Sequence, residues 1–181
     1  MRALGWIILI AVGIGCDADD DMDSGGEQGS EQLPPRGADA VEAWLADGAY
    51  LAWTCEPEPH AARSPSPHGI NRICSNDLLA AHGDGEYPVG AASVKELFAE
   101  DGTTIVGYAV ATHVDAGTNG SNWYWYERVP ADHPAPHDTN GVVADDIGAD
   151  GPALDICVSC HGAAGSDEAH FGHDFVYTQV R

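Results

Sequence analysis

The chain has 181 residues, with seven Lys plus Arg against 29 Asp plus Glu and a formal charge of −22. Nucleic-acid binders draw their affinity from clustered Lys and Arg, so this balance excludes a nucleic-acid partner. The length suits one domain with tails; 44% hydrophobic residues are enough for a core, and 22 Gly with 11 Pro predict short elements joined by many connections.

Residues 1–15 read as a signal peptide: Arg2, an apolar run from Ala3 to Gly15, and a small-residue end, too short to cross a bilayer. The junction Val12-Gly13-Ile14-Gly15-Cys16 resembles the lipobox of bacterial lipoproteins, with Gly13 where that motif usually has Leu. That resemblance implies acylation of Cys16, export, and anchoring through lipid on the periplasmic side of a bacterial membrane. Residues 16–36 then comprise the lipidated Cys and an acidic spacer, DADDDMDSGGEQGSEQLPPR, which has too little apolar surface to offset its ordering entropy and is expected to be disordered. The folded domain is expected over 37–181.

Within it, Val41, Trp44 and Leu45 lie at helical spacing and predict a short amphipathic helix over 38–50. Thr54 to Pro67 is Pro-rich and reads as a loop. Ser75 or Asn76 is placed to cap a second short helix through Leu78, Leu79 and His82, which Gly83 to Gly90 ends. Ser93 to Ala99 predicts a strand, Glu100-Asp101-Gly102 a turn, and Thr103 to Val114 a second strand with Val106, Tyr108, Val110 and Val114 on one face. Asn122 to Val129 carries Trp123, Tyr124, Trp125 and Tyr126 in succession, so both faces of that strand are aromatic and both need cover. Pro130 to Asp150 reads as a polar connection, and Phe175 to Val180 as a returning edge strand.

Cys157-Val158-Ser159-Cys160-His161 is a CxxCH sequence, the c-type haem attachment pattern. Two thiols one helical turn apart can add across the two haem vinyl groups, and the adjacent His is then placed to ligate the iron. A redox-active dithiol and a zinc site are the alternative readings of the two Cys; the first wants a long following helix, where Gly162, Ala163, Ala164 and Gly165 stand, and the second wants another ligand pair. With Cys16 on lipid and Cys157 and Cys160 on haem, Cys55 and Cys74 remain, and an oxidising compartment predicts their disulfide. Electron-transfer cytochromes c generally use Met as the sixth iron ligand. Here Met1 is the initiator and Met22 lies in the spacer, so either a second His closes the iron or the position is open. His60, His68, His113, His170 and His173 are the distal candidates.

In order and in local sequence the chain resembles the cytochrome P-460 and cytochrome c′-beta family. The resemblance rests on a single CxxCH near the C-terminus followed by HDFVYTQVR, and on GEYPVGAASVKELF, TTIVGYAVATHV and NWYWYERV upstream, spanning approximately Leu78 to Arg181. It implies an α+β domain, an antiparallel β-sheet with a few short helices, and one covalent haem c bound near the C-terminus through Cys157, Cys160 and His161, the last ligating iron. It also implies an open distal face that binds or redox-transforms a small ligand such as NO or hydroxylamine, and it allows a homodimer. The P-460 chromophore needs a Lys cross-linked to the porphyrin. As aligned, that position falls around His82-Gly83, and with Lys95 as the chain's single lysine the cross-link is expected to be absent. Glu86 and Glu127 are candidates for a proton-relaying carboxylate. The alternative function is a bis-His electron carrier whose acidic surface docks a basic redox partner.

Overall fold

A computed structural model describes residues 32–181; the signal peptide, Cys16 and residues 17–31 of the acidic spacer lie outside the described residues. Six antiparallel strands follow one another in space as they do in sequence. They are β1 (Thr54–Cys55), β2 (Ile70–Ser75), β3 (Ala92–Phe98), β4 (Ile105–His113), β5 (Trp123–Arg128) and β6 (Val142–Ile147). With short helices packed against it, the sheet gives the expected α+β class.

Strand alternation sorts side chains onto two faces, and each acquires its own core. On one face Cys74, Val94, Val110, Tyr124 and Tyr126 pack beneath helix α1 (Ala38–Ala46), which buries Val41, Trp44 and Leu45, together with Tyr50 and Trp53. The helix begins at Gly37 without a side-chain cap of its own. Its free N–H groups are instead met by the sheet: Gly37 N–H donates to the Tyr124 hydroxyl at 3.0 Å and Ala38 N–H to the Asp145 carboxylate at 2.7 Å. Glu42, one turn on, accepts from the Tyr126 hydroxyl and from Arg128. The predicted helix over 38–50 stops at Ala46 because Gly48 takes a left-handed backbone, φ +69°, after which Ala49–Ala52 form a separate 3-10 turn.

On the same face Glu96 is fully buried and accepts two hydrogen bonds from Arg72, its cross-strand neighbour, at 2.6 and 2.9 Å, and one from the Tyr50 hydroxyl at 2.8 Å. A disulfide joins Cys55 to Cys74, as the cysteine arithmetic predicts, and ties edge strand β1 to β2. The 19-residue separation suits a stabilisation of roughly 3 kcal/mol from restricting the unfolded chain.

Helix α2 (Asp77–Ala80) forms where the capping residue predicts: the Asn76 side chain accepts from Leu79 N–H at 3.1 Å. Three strands were not expected. β1 and β2 enclose the Pro-rich loop, and β6 lies inside the segment that reads as a polar connection. The tail corrects the expectation in the other direction. Phe175 to Val180 is not a strand, because Asp174 and Phe175 both adopt positive φ, +43° and +67°, which a strand does not permit. Val176 and Val180 are nonetheless buried, and the tail crosses the second core as an irregular strap. No described helix is long and apolar enough to cross a membrane.

Candidate functional site

The opposite face of the sheet holds the site. Pairing registers set Ile73, Lys95, Ala109, Glu127 and Ala144 in one row across β2 to β6, with Ser93, Ala111 and Trp125 in the next row. β4 contributes only Ala109 and Ala111 at the centre, and their small side chains leave the floor of the sheet open. Above them lies a cavity of about 690 Å³, within the range of roughly 300–1,000 Å³ typical of cofactor sites. Lys95, Leu97, Trp125 and Glu127 line it from the sheet, and Ile156, Cys157, Cys160 and His161 from the chain beyond β6.

That last segment is helical: Ala153–Val158 wind as a π-helix and Ser159–His161 continue as a single α-turn. Three-residue spacing on a helix puts Cys157 and Cys160 on one side. Both are free thiols, Cys157 buried and Cys160 half-buried. The helix approaches the sheet closely because Gly120 and Gly148 carry no side chain; a Cβ at either would collide with Val158 in the middle of the motif.

The His161 ring is fixed on one side. Its Nδ1–H donates to the Phe175 carbonyl at 2.7 Å, which leaves Nε2 as the unprotonated nitrogen with a free lone pair. Burial, reinforced by the positive charge of Lys95, pulls the imidazole down to about 4 against the opposing Phe175 hydrogen bond. At neutral pH the ring is therefore a neutral imidazole. Trp125 packs on it with ring centroids 4.8 Å apart.

Lys95 and Glu127 are the polar groups of the floor, separated by the width of Ala109. Burial brings the Lys95 ammonium down to about 8, opposed chiefly by the Glu127 carboxylate. Burial pushes Glu127 up, but His68 at 3.2 Å and the Lys95 charge outweigh it and hold the carboxyl below its usual range. The buried Cys157 thiol is pushed up to about 12 by desolvation and by Glu127 and Cys160. Among the described residues no group of three or more His, Cys, Asp or Glu side chains is arranged to hold a metal ion.

Cys157, Cys160 and His161 are thus gathered at one cavity, whereas the distal candidates are scattered. Of these only His68 lines it. His60 pairs with Glu56 at 2.9 Å, His113 is buried against Trp123, His170 bonds Asp167 at 2.8 Å, and His173 stacks on Tyr87. His133, which no local pattern in its Pro-rich loop distinguishes, lines the cavity as well. Glu86 accepts the Gly117 N–H away from the site, while Glu127 lies within it. Neither His82 nor Gly83 reaches the cavity, whereas Lys95, the chain's single lysine, lines it. A second pocket, about 30 Å³, touches Cys160 and His161 beside the Arg63–His68 loop and has room for a water molecule or two.

No known protein family, curated protein or solved structure matches the chain.

Proposed function

We propose that the protein is a mono-haem c-type cytochrome with an open or labile distal position, tethered through lipid on Cys16 to the periplasmic side of a bacterial membrane. The observation that carries this reading is the joint lining of one cofactor-sized cavity by both free thiols and by His161, whose Nδ1 is already committed to a backbone carbonyl. Metal-ligating histidines are oriented in this way, with the second nitrogen bonded to fix tautomer and ring plane. Cys157 and Cys160 would form the thioethers and His161 would be the axial ligand. When bound, haem c supplies an iron that takes up a small ligand such as NO or hydroxylamine and exchanges electrons with it.

The chain's own groups divide the cavity. Trp125, Leu97 and Ile156 supply its apolar lining, while Lys95, Glu127 and His68 form one polar wall. Lys95 lines the same space from the VKEL strand, away from the aligned cross-link position at His82-Gly83, so the reading carries no lysine–porphyrin cross-link. The order of motifs, which resembles that of the cytochrome P-460 and c′-beta family, supports the reading.

The test is the absorption spectrum of the ferrous protein with and without CO or NO. A spectrum that shifts with either gas is expected; a low-spin spectrum that neither gas moves would overturn the open distal site. In that event the bis-His carrier is the second reading, and it is favoured by two cavity-lining histidines, His68 and His133. Replacing the true ligand would then convert the iron to high spin.

A further inference from the structure

Trp123 and Trp125 lie on the same face of β5, and their rings extend into a continuous aromatic row. Trp125 is 4.8 Å from His161, Trp123 is 6.0 Å beyond it, and Tyr87 follows at 6.1 Å, centroid to centroid. Tyr87 then stacks on His173 at 4.6 Å with 15° between the planes and packs on His82 at 4.8 Å. These spacings bring ring edges into contact. Tyr87 and both Trp are buried, while His82 and His173 are half-buried, so the row runs from the motif histidine through the core to the surface. Core packing explains the burial but not the polar atoms left over: Trp123 Nε1, His82 Nε2 and His173 Nε2 are buried without a hydrogen-bond partner. Such groups cost stability and call for an explanation, a redox role among those that supply one.

We infer that Trp125, Trp123 and Tyr87 form a conduit for single electrons between the His161 end of the cavity and the surface at His82 and His173. The inference rests on the haem reading and adds a route that the reading does not require. Its chemistry is balanced with hydrogen peroxide as a two-electron oxidant: peroxide takes up two electrons and two protons and leaves as two waters. With haem bound, electrons withdrawn there would be replaced one at a time by Trp125, which would be refilled from Trp123 and that in turn from Tyr87. Tyr87 would pass its phenolic proton to solvent with the electron, its hydroxyl having no protein partner and not being among the fully enclosed polar atoms. A one-electron donor at His82 and His173, a phenol by class, returns one electron and one proton, so two donor molecules are oxidised per peroxide.

Tyr177 offers a shorter outlet, 5.5 Å from His161. Its hydroxyl, however, donates to the Cys160 carbonyl at 2.9 Å, and a carbonyl cannot accept the proton that an oxidised tyrosine sheds. The Tyr87 hydroxyl, at the end of the conduit through two tryptophans, is not tied to a carbonyl in this way.

The experiment is freeze-quench electron paramagnetic resonance of the haem-loaded ferric protein mixed with hydrogen peroxide. The native chain is expected to give a tyrosyl radical; Tyr87→Phe, which removes one hydroxyl, is expected to replace it with a tryptophan radical, and Trp123→Phe to abolish the Tyr87 signal. An unchanged radical in both variants, no radical at all, or a signal lost only in Tyr177→Phe would overturn the conduit. Absence of covalent haem in the absorption of the same samples would overturn the underlying reading and the conduit with it.

Discussion

His161 and Phe175 are joined by a 2.7 Å hydrogen bond from the imidazole Nδ1–H to the backbone carbonyl, across 14 positions of sequence. The irregular tail is therefore what orients the motif histidine. The strap is held in turn by the Tyr177 hydroxyl on the Cys160 carbonyl and by Gln179, whose amide donates to the Leu79 and His82 carbonyls at 2.6 and 2.7 Å.

On the haem reading, a chain ending at Asp174 should form both thioethers, since these would depend on Cys157 and Cys160, yet lose the ring orientation of His161. Loss of such a partner typically costs about 10–100-fold in metal affinity or activity. Resonance Raman of the ferrous protein should show a weakened or missing iron–histidine stretch; an unchanged stretch would mean that the tail does not position the ring.

Ala109 keeps the cavity open, and Ala109→Leu would fill it from the floor between Lys95 and Glu127. The expected outcome is a folded protein, by circular dichroism, that carries little or no haem. Loading equal to the native level would show that the cofactor does not lie over β4.

On the other face, Glu96→Gln removes the charge that balances Arg72 in a buried cross-strand pair. Breaking a buried pair typically costs about 3–5 kcal/mol, and because Arg72 retains some solvent contact the lower end is expected. Urea denaturation should read this loss, and Arg72→Met in the same chain should recover part of it.

Acid should also act near β1. Burial pushes the Glu56 carboxyl up, but hydrogen bonds from Arg63, the Ile73 N–H and His60 outweigh it and lower the group below its usual 4.5. A lowered folded-state value means stability that is present above pH 4.5 and lost as pH falls through the lowered value. Glu56→Gln should therefore be less stable than the native chain at neutral pH, with the gap closing in acid; a gap independent of pH would contradict the assignment.

How much of this was legible in sequence follows from how local each signal is. CxxCH, the Asn76 cap and the alternation of β3, β4 and β5 are set by near neighbours, and all appear at the expected positions. β2 escaped because Asn71 and Arg72 interrupt its pattern, and both are satisfied by distant or irregular partners: Arg72 by Glu96, Asn71 by the Gly69 carbonyl. β6 escaped because Asp145 and Asp146 read as loop, yet Asp145 serves Ala38 and Tyr124 from a sheet edge. The cavity was not legible at all, since it arises from two alanines aligned with Lys95, Glu127 and Trp125 by register. The tail carried an alternation that positive φ at Asp174 and Phe175 overrides.

Mass spectrometry of the mature chain, purified from a host that assembles c-type haem, tests the central proposal most directly. The predicted result is a polypeptide carrying one haem through bonds that survive denaturation, with the adduct lost when Cys157 and Cys160 are replaced by Ala. A chain whose mass shows only two free thiols, or two hydrogens fewer for a Cys157–Cys160 disulfide, would contradict it.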